Sequence, residues 1–161
     1  MGTNDLFVYA AVYEDEPSAL SDLELFFKLA VVGAVGKFDT AILTKDADGK
    51  VHVEKHGTAG ASGAWKGIIA GGLVGLLFPP SILVGSLVGG ASGALVGKLW
   101  GGMSRTNLKE IGEALDEYET GLVIVGESTV GELIEKTLKK AKKRVRKELK
   151  ATLKDIEKEM K

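Results

Sequence analysis

Two rows of glycine at four-residue spacing constrain this chain more than any other feature. Gly63, Gly67, Gly71 and Gly75 form the first row. Gly85, Gly89, Gly93, Gly97 and Gly101 form the second, and Phe78-Pro79-Pro80 lies between them. A period of four places each row along nearly one face of a helix. Interior helical glycine costs about 0.8–1 kcal/mol relative to alanine. Such a series is tolerable where bare faces let two helix backbones approach closely, which is the small-xxx-small packing of helices in membranes. The spacing therefore predicts a glycine-zipper helical hairpin over 60–102, turning at Phe78, Pro79 and Pro80.

No charged residue occurs between Lys66 and Lys98. The two arms, 67–78 and 81–97, would rise about 18 Å and 25 Å as helices, against a hydrocarbon core of about 30 Å. They reach across only if Lys66 and Lys98 extend toward the headgroups. Trp65 and Trp100 stand beside those lysines, where an interfacial aromatic belt belongs. Arg105 and Lys109 follow, so both ends are basic and the positive-inside rule puts both on the cytoplasmic face. A re-entrant or thin two-pass hairpin fits these lengths. A hairpin buried inside a soluble homo-oligomer would use the same small residues.

The formal net charge of -1 conceals an asymmetry: residues 128–161 hold 12 Lys/Arg against 6 Asp/Glu, and residues 1–127 hold 9 against 16. Partner binding is thus sought in the basic tail. The absence of cysteine excludes disulfides, thiolate metal sites and thiol nucleophiles. Met1 to Asp5 shows no basic stretch leading into an apolar run, so no cleavable signal peptide is expected.

Leu6 to Tyr13 reads as a buried strand. Ala19, Leu20, Leu23, Phe26, Phe27, Ala30 and Val31 step by threes and fours, giving an amphipathic helix that Gly33 and Gly36 end. Phe38 to Thr44 and Lys50 to Lys55 are further strands, joined by an Asp48-Gly49 turn in which glycine accepts positive φ. Ser104 caps a helix over 107–118, and Gly121 to Val125 is a short apolar strand suited to a sheet centre. The order predicts an α+β fold: a ferredoxin-like βαββαβ antiparallel sheet, with the hairpin inserted after its third strand. Two helices would cover one face. The other face, carrying Phe7, Tyr9 and Tyr13 or Leu6, Val8 and Val12, would need a second subunit or the C-terminal helix.

Several local strings resemble a bacterial family, domain of unknown function 1269. They are Phe38-Asp39-Thr40-Ala41 leading to Thr44-Lys45-Asp46, and Asp48-Gly49-Lys50-Val51-His52-Val53. Further along come Gly63-Ala64-Trp65, Leu76-Leu77-Phe78-Pro79-Pro80 and Met103-Ser104-Arg105. The resemblance spans roughly 5–127 and implies a membrane protein whose ferredoxin-like domain carries a hydrophobic hairpin. It implies no reaction, and the tail from Ser128 lies outside it.

In that tail Ile134, Leu138, Ala141, Val145, Leu149, Leu153, Ile156 and Met160 recur at helical spacing, predicting one amphipathic helix over 128–161. Lys136, Lys139, Lys140, Lys142, Lys143, Arg144, Arg146, Lys147 and Lys150 make it basic. Anionic lipid attracts such a cluster by about 1 kcal/mol per basic residue; a coiled coil would use the same apolar stripe. The tail has no aromatic side chain to stack on bases, which argues against nucleic acid. His52, Glu54 and His56 alternate on one strand face and have metal-ligand chemistry, but a solvated strand face carries the same residue types, and no metal or cofactor is assigned. No nucleophile elbow, phosphate-binding loop or dinucleotide fingerprint occurs. The expectation is a non-enzymatic protein on the cytoplasmic face of a membrane, partnered by itself and by lipid. The alternative is a soluble cytoplasmic homo-oligomer with hairpins and tails buried between subunits.

Overall fold

The computed structural model describes residues 5–33, 38–56, 83–84, 104–117, 119–127 and 130–152. Among the described residues the elements are, in order, β1 (Asp5–Tyr13), α1 (Glu16–Gly33), β2 (Phe38–Lys45), β3 (Val51–His56), β4 (Leu83–Val84), α2 (Arg105–Asp116), β5 (Thr120–Glu127), α3 (Val130–Thr137) and β6 (Lys143–Thr152). The chain is thus α+β. Its sheet runs β4-β3-β2-β5-β1-β6, antiparallel throughout except for the β3–β4 pair.

Alternation along β1 builds two cores. Tyr9, Ala11 and Tyr13 join Leu122 and Ile124 of β5 and Phe38 and Ile42 of β2 on one face. There α1 contributes Ala19, Leu23 and Phe26, and α3 contributes Val130, Leu133 and Ile134. The Phe26 and Phe38 rings meet edge to face at 4.9 Å, a favoured aromatic geometry. Leu6, Val8, Ala10 and Val12 point to the opposite face, which α2 closes with Ile111, Ala114 and Leu115. The approach of α2 is close at Gly121, where an added Cβ would stand 2.9 Å from Leu115 Cδ2 and 3.2 Å from Leu43 Cγ.

Local chemistry fixes the element ends. Asp15 Oδ1 accepts the Ser18 amide at 2.9 Å ahead of α1, and Ser104 Oγ accepts the Asn107 amide at 3.1 Å to cap α2. The β2–β3 hairpin closes through a three-residue loop, Ala47 to Gly49, with Gly49 at φ 81°, a loop length that places glycine in the left-handed region. Asp46 Oδ1 accepts from the amides of Asp48 and Lys50, and Asp46 Oδ2 meets His52 Nε2 at 2.7 Å. The His52 contact, followed by the Lys50 amide, holds the Asp46 carboxyl below its usual range.

Two expectations are corrected. The two helices α1 and α2 lie on opposite faces, so α2 covers the face for which a second subunit or the C-terminal helix was expected. The 128–161 segment is not one helix: α3 ends at Thr137 and Lys143–Thr152 is a strand. The physical reason is arithmetic. Val145 and Leu149 are four apart, an even spacing that places them on one side of a strand as well as of a helix. The free edge of β1 then decides the outcome, because its unpaired amides and carbonyls need partners. β6 pairs along β1 from Asp5↔Thr152 to Val12↔Lys143, so the segment after 127 contributes a strand to the same sheet.

A buried carboxylate locks this closure. Asp22 on α1, 4% exposed, accepts from Tyr13 Oη at 3.1 Å and from the Lys140 amide at 2.9 Å. One side chain therefore ties β1, α1 and the turn into β6.

Three outcomes are expected. Truncation after Glu127 strips β1 of one neighbour and α1 of α3, so the truncated chain will lose the cooperative urea unfolding transition of the parent. Asp22→Ala orphans the Tyr13 hydroxyl and the Lys140 amide, and its urea midpoint will fall by the equivalent of about 2–4 kcal/mol. Alkaline stability follows from the tyrosines. Burial first, then the Asp22 carboxylate, hold Tyr13 protonated well above 10.0, and burial likewise raises Tyr9 against the lowering charge of Arg146. The unfolded chain therefore releases these protons first. Stability is unaffected by them below about pH 10 and falls above it, by up to about 1.4 kcal/mol per pH unit for each tyrosine. Tyr13→Phe will flatten that decline in urea midpoints measured from pH 9 to 11.

Candidate functional site

The basic residues of the tail are distributed by the strand. Lys136 lies in the last turn of α3, Lys139 and Lys140 in the following turn, and Lys142 just before β6, which carries Lys143, Arg144, Arg146, Lys147 and Lys150. Within β6, Arg144 and Arg146 face α1 and α3, whereas Lys143 and Lys147 face α2. Four of these nine cations meet acidic residues of the same domain. Lys142 pairs with Glu14 at 3.4 Å, Lys143 with Glu117 at 3.5 Å, Arg144 with Glu135 at 3.0 Å, and Lys147 with Glu110. Lys140 Nζ lies 3.0 Å from Ser21 Oγ. Exposed pairs of this kind are worth about 0–1 kcal/mol each. Three of the four acidic partners lie in residues 1–127 and Glu135 lies in the tail itself; among the described residues the cations are divided between α3, the turn and β6 rather than gathered on one helical face.

The glycines expected to pack a helical hairpin, Gly63, Gly67, Gly71, Gly75, Gly85, Gly89, Gly93, Gly97 and Gly101, lie outside the described residues. So do Phe78, Pro79, Pro80, Trp65, Lys66, Lys98 and Trp100. Within the uncharged stretch the described part is β4. Leu83 pairs with Val51 and Val84 with His52, parallel to β3. At those two residues the second arm is therefore extended rather than helical. Among the described residues, no helix is long and apolar enough to cross a membrane.

His52, Glu54 and His56 sit opposite Thr44, Ile42 and Thr40 in the β2–β3 register. The His52 ring is committed to Asp46. Among the described residues no group of three potential metal ligands forms.

Sequence patterning gave no sign of a cavity at the start of α3. It is half-open, about 290 Å³, and lined by Tyr9, Gly131, Glu132, Glu135 and Arg146. Tyr9 comes from the centre of β1, Arg146 from its partner position on β6, and the other three from α3. The Arg146 guanidinium stands 4.0 Å from the Phe7 ring centroid and 5.6 Å from that of Tyr9, a cation–π arrangement. Tyr9 Oη is buried without a hydrogen-bond partner. It presses on the helix at Gly131, where an added Cβ would collide with it. The one legible signal was Gly131 itself, a glycine in the first turn of a helix.

No curated protein and no solved structure is found to match the chain. A family model described as "Protein of unknown function (DUF1269)" matches residues 64–160. The match takes in the second half of the sheet and the whole basic segment, so the tail is part of what the family shares rather than an addition to it. With well over half its length matched, the chain belongs to the DUF1269 family.

Proposed function

We propose that this chain is a non-enzymatic, membrane-associated protein in which an α+β domain carries a glycine-zipper hairpin and self-associates through it. The observation that carries this reading is the uncharged run between Lys66 and Lys98 with its two glycine rows. The run enters from β3 and returns through α2, two elements of one domain. That both ends of the run join one domain supports a re-entrant or two-pass insertion, whose ends share a side of the membrane. The domain also places helices of its own on both sheet faces. The role we infer is to scaffold or remodel membrane at its cytoplasmic face. Because four of the nine tail cations are paired within the domain, the hairpin rather than the basic segment is the anchor, and anionic lipid is a secondary attraction.

We read the sheet as ferredoxin-like, assembled from parts other than those first expected. β1-α1-β2 and β5-α3-β6 supply two split βαβ units in the order β2-β5-β1-β6, with α1 and α3 on one face. β3, the hairpin and α2 then form one long insertion between the second and third strands.

A second reading is favoured by β4, whose pairing with β3 draws part of the second arm onto the sheet edge. In that reading hairpins pack between subunits of a soluble homo-oligomer. Fractionation separates the two. The membrane reading expects the full chain to float with liposomes, resist carbonate extraction and leave the membrane only in detergent. It also expects deletion of 67–97 to abolish flotation while preserving the urea transition of the domain. A detergent-free, high-mass soluble species that falls to monomer on the same deletion would instead establish the assembly.

A further inference from the structure

The cavity at the N-terminus of α3 holds a polar atom that the fold leaves unpartnered. Tyr9 is 4% exposed and its buried hydroxyl lies beside the Arg146 guanidinium without forming a hydrogen bond of sound geometry; contact with Gly131 directs it at the first turn of α3. A buried, unsatisfied hydroxyl costs stability and is rare in folded proteins. Beside it, Arg146 has no carboxylate partner among the described residues and rests on Phe7. The first-turn amides of an α-helix point outward as further donors. The same cavity is lined by two carboxylates, Glu132 and Glu135, the second already paired with Arg144 at 3.0 Å.

These groups narrow the ligand. A simple anion would suit Arg146, Tyr9 Oη and the helix terminus but would meet Glu132 and Glu135. A simple amine would suit the carboxylates but would meet Arg146. A molecule carrying both charges satisfies both sets. The cavity, about 290 Å³, lies at the lower edge of the roughly 300–1,000 Å³ of small-molecule sites, which limits the ligand to a few heavy atoms. We propose that this cavity binds a small zwitterion of the amino-acid class. Its carboxylate is held by Arg146 and Tyr9 Oη and its ammonium by Glu132 and Glu135.

Titration calorimetry of the full chain in mild detergent tests this with L-alanine and 4-aminobutyrate as zwitterions, and with propionate and propylamine as single-charge controls. The expected result is saturable binding of at least one zwitterion, with both controls at least tenfold weaker. Tyr9→Phe and Arg146→Gln are each expected to weaken that binding at least tenfold. Tyr9→Phe removes the orphaned hydroxyl and keeps the ring, so its thermal midpoint will equal or exceed the parent's, and loss of binding there is not loss of fold. Absence of binding by both zwitterions overturns the proposal and leaves an ordered water as the partner of Tyr9. Propionate binding as tightly as the zwitterions overturns the assigned class, and unchanged binding in Tyr9→Phe overturns the assigned place.

Discussion

The pairing of β6 along the outer edge of β1 is the contact on which the remaining architecture depends. It turns β1 from an edge into a central strand and satisfies a row of backbone groups that would otherwise lie bare. It also carries α3 onto the face where α1 packs. Asp22 shows how tightly the closure is drawn, since one carboxylate accepts from the strand through Tyr13 and from the incoming turn through Lys140. Buried carboxylates persist where hydrogen bonds replace their lost solvation, and this one receives two.

Electrostatics follow the same seam. Part of the acidic excess of residues 1–127 meets the basic excess of the tail: Glu14, Glu110 and Glu117 receive Lys142, Lys147 and Lys143. Arg144 meets Glu135 of the tail itself. Lysine and arginine on an edge strand also discourage further strand addition, because a second copy would bring like charges together. Read as a linear string, the charge cluster suggests an external partner; in the folded chain much of that partner is the chain itself.

How much of this was legible depends on where the deciding interaction lies. β1, α1, β2 and β3 could be read from local pattern, as could the Ser104 cap and the positive φ of Gly49, because each is settled by residues within a few positions. β6 could not. Val145 and Leu149 satisfy both periodicities, and only the vacant edge of a strand some 135 residues earlier chooses between them. The faces covered by α1 and α2 were equally hidden, since the side on which a helix docks is set by crossover geometry and not by its own stripe. The Tyr9 cavity needed three separated segments to converge, and neither Tyr9 nor Arg146 stands out from its neighbours in sequence. The glycine rows are the reverse case: prominent in the sequence, and outside the described residues.

The placement of β1 and β6 as neighbours has a consequence for biosynthesis. The ribosome releases the first strand early and its flanking partner late, with the entire apolar insertion emerging between the two. Sheet closure is therefore a long-range event of the kind that slows folding. The hydrophobic stretch is therefore synthesised in full before the sheet can close.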